Sequence, residues 1–118
     1  MNRKKNINVA IIGTGFGAET HLPAFNECKN ATLYTIFGRN KIKIDTLSKK
    51  FQTKKKFDTY KDLLNDKEID LISISLPPSL QFNYVNEALD AGKHVLCEKP
   101  FTCNKDDAYF LYKKAKKK

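Results

Sequence analysis

The strand-like run Ile7-Asn8-Val9-Ala10-Ile11-Ile12 leads straight into Gly13-Thr14-Gly15-Phe16-Gly17-Ala18, and no other junction constrains the chain so tightly. A nearly continuous apolar, β-branched run of this length reads as a strand buried on both faces, the habit of parallel sheets. Each small residue after it has a physical job. Gly13 takes the dihedrals of a tight turn, and Gly15 lets the backbone approach another group with no Cβ in the way. Gly17 adds freedom, and Ala18 is small enough for a helix to pack closely on the strand. A helix opening here aims its unpaired N–H groups and positive dipole end back over the turn, which suits a pyrophosphate. The glycines alone are equally compatible with a plain turn; the strand before them and the helix after them favour the phosphate reading.

Apolar runs of strand length alternate with longer amphipathic stretches along the rest of the chain, the rhythm of βαβ units. Five strands are expected: 7–12, 32–37 and 71–75 as central strands, 94–97 as a short one, and 56–58 as a short edge strand blunted by its lysines. Helices are expected over 18–28, 41–51, 60–65, 80–91 and 105–117. Pro23 predicts a late start or a kink in the first of these. In the fourth, Phe82, Val85 and Leu89 share a buried face, Ser79 stands where an N-cap belongs, and Gly92 supplies a left-handed stop. Right-handed crossovers then make a Rossmann-type, doubly wound α/β sheet of order 3-2-1-4-5. At 118 residues, the chain has room for one such domain over 1–118.

Composition narrows the partners. The net charge of +9 invites nucleic acid or a membrane surface, but Arg3, Lys4, Lys5 and the five lysines from 113 onward supply most of it. Residues 6–112 hold 14 basic against 13 acidic side chains, so the body is nearly neutral and neither partner is expected. The basic rival would use Lys49, Lys50, Lys54, Lys55 and Lys56 with the two ends, although lysines in such a stretch usually face solvent. Cys28, Cys97 and Cys103 form no C-x-x-C pair and are joined by only two histidines, so no metal site is expected and a reducing, cytoplasmic setting fits. No apolar stretch approaches the roughly 20 residues of a membrane span.

The second expected strand ends in Phe37-Gly38-Arg39-Asn40, where dinucleotide-binding turns often carry an acidic residue for the ribose hydroxyls of NAD. Arg39 can instead pair with a 2′-phosphate and stack on adenine, which favours NADP over NAD as cofactor. The plainer alternative is a solvated loop cation.

Three segments then share one pattern. The glycine-rich turn, Ser75-Leu76-Pro77-Pro78-Ser79 after a strand, and Ala91-Gly92-Lys93-His94-Val95-Leu96-Cys97-Glu98-Lys99-Pro100 occur in that order. In this, the chain from Ile7 onward resembles the N-terminal domain of the glucose-fructose oxidoreductase, inositol dehydrogenase and rhizopine-catabolism (Gfo/Idh/MocA) oxidoreductases. Glu98 and Lys99 fall at the carboxyl end of a parallel strand, where open α/β sheets bind ligands. A lysine beside a nicotinamide can donate a proton or hydrogen bond to a carbonyl during hydride transfer, with Glu98 orienting it; a surface ion pair is the plainer reading. The resemblance implies Lys99 as the catalytic or positioning residue on the substrate side. It also implies that Glu98 and Pro100 shape the nicotinamide end, and that the loop Ser75, Leu76, Pro77 and Pro78 touches the cofactor.

Two departures stand out: Leu76 replaces a common small polar residue, and Gln81 stands where a histidine is frequent. His21 matches a histidine frequent in the family's first helix, and His94 is expected to be structural. Relatives continue into a further strand and a substrate domain that supplies proton-transfer residues and most of the oligomer interface. The chain is therefore expected to be the cofactor half of an oxidoreductase acting on a sugar, polyol or related carbonyl, with weak cofactor binding and little activity alone. The alternative is a stand-alone, non-catalytic module binding a nucleotide or coenzyme A.

Overall fold

The computed structural model describes residues 6–98 and 102–117, with the backbone alone for 16–18. Strands β1 (Ile7–Ile12), β2 (Ala31–Phe37), β3 (Leu71–Ile74) and β4 (His94–Cys97) form one parallel sheet in the order β2-β1-β3-β4. Between and after them come α1 (Phe16–Asn26), α2 (Lys41–Phe51), α3 (Tyr60–Asn65), α4 (Pro78–Asp90) and α5 (Lys105–Lys117).

Alternation along β1 divides the core in two. Val9 and Ile11 pack with Leu22, Leu33 and Ile36 on the face covered by α1 and α2. Ala10 and Ile12 pack with Ile72, Ile74, Val85 and Leu111 on the face covered by α3, α4 and α5. Because both faces are covered, the strand reads as a continuous apolar run, and each aliphatic side chain fully buried contributes about 1.5–3 kcal/mol.

The expected α/β class and strand sequence are present, with three corrections. No fifth strand forms at 56–58: the sheet has four strands among the described residues. The β1–β2 register slips so that Val9 faces Leu33 and Ala10 faces Thr35, skipping Tyr34. The Tyr34 carbonyl accepts hydrogen bonds from the N–H groups of both Lys54 and Lys55, each at 3.0 Å. Two consecutive N–H groups converging on one acceptor do not make a ladder, so the chain at 54–55 meets β2 without extending the sheet. Helix α1 starts before Ala18 rather than late, with Pro23 inside it. The missing proline N–H leaves the Glu19 carbonyl without its helical donor, and both residues are exposed to water. Ser79 is not the N-cap of α4: Pro77 is, and Pro78 occupies the first turn, where its fixed φ and lack of an N–H cost nothing. Gly92 does take the left-handed conformation after α4, with φ 77°.

Asp66 ties the lower half of the sheet together. Its carboxylate accepts from the Glu68 N–H at 2.9 Å, the Tyr34 hydroxyl at 3.2 Å and Lys55 Nζ at 3.3 Å. Its main-chain carbonyl accepts from Lys93 Nζ at 2.8 Å, and the same ammonium donates to the Ile69 carbonyl at 2.7 Å. Lys93, within the Gly-Lys-His segment, thereby fastens the start of β4 to the turn before β3. Burial pushes the Asp66 pKa up, but the Glu68 N–H, Lys55 and Tyr34 together outweigh it and hold the carboxyl below its ordinary value. A carboxyl depressed in the fold stabilises it above the ordinary carboxylate range, and that stabilisation is lost as pH falls through the folded value. Melting measured between about pH 5 and pH 2 should therefore fall more steeply in the wild type than in Asp66→Asn, which is less stable at neutral pH; parallel slopes would refute this role.

Gly13 joins the two central strands at their carboxyl ends. It adopts φ 105°, its N–H donates to the Phe37 carbonyl at 2.8 Å, and a Cβ built on it would collide with the Ser75 carbonyl oxygen. Gly13→Ala should lower stability by about 3 kcal/mol or more, combining left-handed strain with a backbone clash; a melting temperature within 2–3 °C of wild type, about what 0.5 kcal/mol gives, would contradict it.

Candidate functional site

The carboxyl ends of all four strands lie along one edge of the sheet, in the order Gly38, Gly13, Ser75 and Glu98. At the centre, β1 gives way to Gly13, Thr14 and then Gly15, which caps the N-terminus of α1 with no side-chain hydrogen bond. Among the described residues, a Cβ added at Gly15 would meet nothing within 4 Å. No neighbour among them requires glycine there, and the open space lies against the first turn of α1. The two glycines thus differ: Gly13 admits a backbone neighbour, and Gly15 borders open space among the described residues. Phe16 and Gly17 form the first turn of α1.

Beyond β2, Gly38 packs beneath the Thr14 methyl group: a Cβ here would come within 3.4 Å of it. Arg39 is exposed, directed by neither a hydrogen bond nor an ion pair among the described residues. Asn40, expected at the cofactor, uses its side chain otherwise, with Oδ1 accepting from the Lys43 N–H at 3.0 Å as the N-cap of α2. A cavity of about 160 Å³ lies next to this turn, lined by residues including Phe37, Gly38, Lys41 and Lys56 and by the carboxylates of Asp45 and Asp58. Lys56 Nζ donates to Asp45 Oδ1 at 2.8 Å, and this bond first, then the cation's charge, lowers the Asp45 pKa. Two of the five lysines of the 49–56 stretch are thus engaged with acidic partners, Lys55 with Asp66 and Lys56 with Asp45.

On the other side, Gln81 straps two loops together. Only 1% exposed, it accepts from the Leu76 N–H through Oε1 at 3.2 Å and donates from Nε2 to the Glu98 carbonyl at 3.1 Å. The Glu98 N–H continues the ladder to Ile74 at 2.9 Å. Ser75, Leu76 and Glu98 are therefore held in one frame, with Pro77 and Pro78 turning the chain into α4. The residue that departs from the family pattern has its own structural task, which only the fold could disclose.

Sequence reasoning noted His21 but gave it no partner. The imidazole is 8% exposed; its Nδ1 lies 2.8 Å from Ser73 Oγ, and its Nε2 lies 3.7 Å from Glu98 Oε1. Ser73 was read only as strand, because a serine inside an apolar run carries no signal until α1 is laid across β3. His94 begins β4 at the opposite end of the strand from Glu98 and is exposed. Lys99 and Pro100 lie outside the described residues.

A strand, a glycine-rich turn and a helix N-terminus at the carboxyl edge of a parallel sheet make the geometry of a dinucleotide-binding Rossmann domain. Residues 7–118 match the Gfo/Idh/MocA oxidoreductase family, NAD-binding Rossmann fold, and the chain belongs to that family as its NAD(P)-binding domain. An uncharacterized oxidoreductase of Synechocystis sp. is 32% identical over all of this chain and 32% of its own length. D-xylose 1-dehydrogenase (NADP(+)) 2 of Haloferax volcanii is 32% identical over 86% of this chain and 31% of its own. Among solved structures, KijD10, a 3-ketoreductase from Actinomadura kijaniata in complex with TDP-benzene and NADP, superposes with a TM-score of 0.87 at 29% identity, covering 95% of this chain and 35% of that one. The chain spans about a third of the length of these proteins. Among the described residues, no helix is long and apolar enough to cross a membrane.

Cys97, next to Glu98, is half-buried, and burial first, then the Glu98 charge, raises its pKa to about 11. Cys28 and Cys103 are exposed. At pH 8, Cys97 carries roughly a hundredfold less thiolate than an ordinary cysteine, so iodoacetamide followed by peptide mass spectrometry should find it the last of the three alkylated. Labelling of Cys97 at the rate of the other two would show that the strand end is open to solvent.

Proposed function

We propose that this domain binds NADP in preference to NAD and presents the nicotinamide to a sugar, polyol or related carbonyl compound for hydride transfer. The open space at Gly15 carries the reading: it lies where the N–H groups and positive end of α1 would meet a pyrophosphate. Thr14, Phe16 and Gly17 complete that turn. Gly38 and Arg39 face the adenosine ribose, and Arg39, with no ion pair among the described residues, supplies the fork for a 2′-phosphate. Ser75, Leu76, Pro77 and Pro78 flank the cofactor on its other side. Glu98, Lys99 and Pro100 form the nicotinamide end. Lys99 would donate to the oxygen of the reacting carbonyl as hydride arrives at its carbon, with Glu98 orienting the ammonium. The NADP named for the Haloferax dehydrogenase and bound in the 3-ketoreductase supports the preference, and their names support a sugar-like substrate.

Titration of the purified chain with NADPH and NADH, followed by nicotinamide fluorescence and thermal melting together, tests this. NADPH should bind saturably and more tightly than NADH, and Arg39→Ala should weaken NADPH about tenfold, or ~1.4 kcal/mol, while leaving NADH unchanged. Equal affinities insensitive to Arg39 would remove the NADP preference, and no saturation with either cofactor would overturn the whole reading.

A further inference from the structure

The buried pair of His21 and Ser73 is aimed at Glu98, and its chemistry fixes a direction. A carboxylate only accepts hydrogen bonds, so the ring nitrogen that faces Glu98 across 3.7 Å is stabilised when it carries the hydrogen. A neutral imidazole then has its lone pair on Nδ1, which must accept. The group placed to donate there is the Ser73 hydroxyl, 2.8 Å away and wholly buried on β3. The opposite tautomer would turn a lone pair toward the carboxylate. Should the ring gain a proton, the hydroxyl can rotate and accept instead, so the serine serves either state.

The three residues come from α1, β3 and the end of β4; β3 and β4 are paired strands, and the His21 ring adds a polar link from α1 to both. Glu98 is held at its backbone by Gln81 and Ile74, but its side chain is 42% exposed and would be free to swing. We propose that His21 is a positioning residue that sets the direction of the Glu98 carboxylate: Ser73 holds the ring with Nε2–H toward Glu98, and Glu98 is thereby presented to the nicotinamide end of the cofactor. The second half of this proposal rests on the cofactor reading above; the first does not. His21 acts through Glu98, and neither it nor Ser73 touches cofactor or substrate.

Nitrogen-15 NMR of the imidazole rings separates the two. The chain has two histidines, and His94→Asn leaves His21 alone in the spectrum. In the cofactor-free chain, Nε2 should resonate as the protonated nitrogen and Nδ1 as the one bearing the lone pair. Glu98→Ala and Ser73→Ala should each collapse this difference toward a mixture of tautomers, whereas Glu98→Gln, whose amide oxygen still accepts, and Ser73→Thr, which keeps the hydroxyl, should restore it. Because these variants leave His21 in place, the test survives if His21→Ala fails to fold. An Nδ1–H tautomer, or a spectrum indifferent to Glu98→Ala, would overturn the proposal. With saturating NADPH, the Nε2 signal should shift in the wild type but not in Glu98→Ala, and His21→Ala should raise the NADPH dissociation constant several-fold. Cofactor binding by fluorescence with His21 unmoved would overturn the link to the nicotinamide end alone. Failure of NADPH and NADH to bind at all would overturn both the cofactor reading and that link, with the tautomer result still deciding whether His21 directs Glu98.

Discussion

The passage of the Ser75 backbone over Gly13 is the contact on which the rest of the site depends. Parallel strands leave their carboxyl ends side by side, and each must be followed by a loop that climbs away from the sheet. At the centre, two such loops compete for the same space. A side chain at position 13 would push the Ser75 carbonyl off β1 and with it the whole turn into α4. With no Cβ there, Ser75 N–H keeps its bond to the Ile12 carbonyl at 3.0 Å, and the edge closes into one surface.

From that point, the edge is assembled by polar bonds more than by apolar packing. The Gln81 amide joins the loop after β3 to the end of β4, Asn40 caps α2 beside the end of β2, and Ser73 with His21 joins β3 to α1. The Asn40 cap and the Gln81–Leu76 bond are local, whereas the bonds of Ser73 to His21 and of Gln81 to Glu98, made by buried side chains, cross between elements distant in sequence. Buried polar groups of this kind specify one arrangement because their alternatives leave donors or acceptors unpaired.

This division explains how much could be read beforehand. The elements resting on hydrophobic period were legible: β1, β4, α2, α3 and α5 have the expected bounds, because each pattern decides its own segment. The glycine turn was legible because its context is local. What failed was non-local. The stretch at 56–58 does not pair with the sheet, and the roles of Gln81 and Ser73 depend on Glu98 and His21, partners that no spacing reveals. Arg39 is exposed, with no hydrogen bond or ion pair among the described residues.

That last feature bears on how such a domain can change over time. Arg39 projects from a turn whose shape is set by its neighbours, with Gly38 packed beneath Thr14 and Asn40 capping the next helix. The scaffold of the turn and the residue that would choose between cofactors are therefore separate positions. Replacement at 39 leaves helix cap and strand end intact, so, if residue 39 selects the cofactor as proposed, lineages sharing this fold could drift between cofactor pools through single substitutions that folding does not veto. Gly13 allows no such drift, and variation along this edge should be as uneven as its constraints.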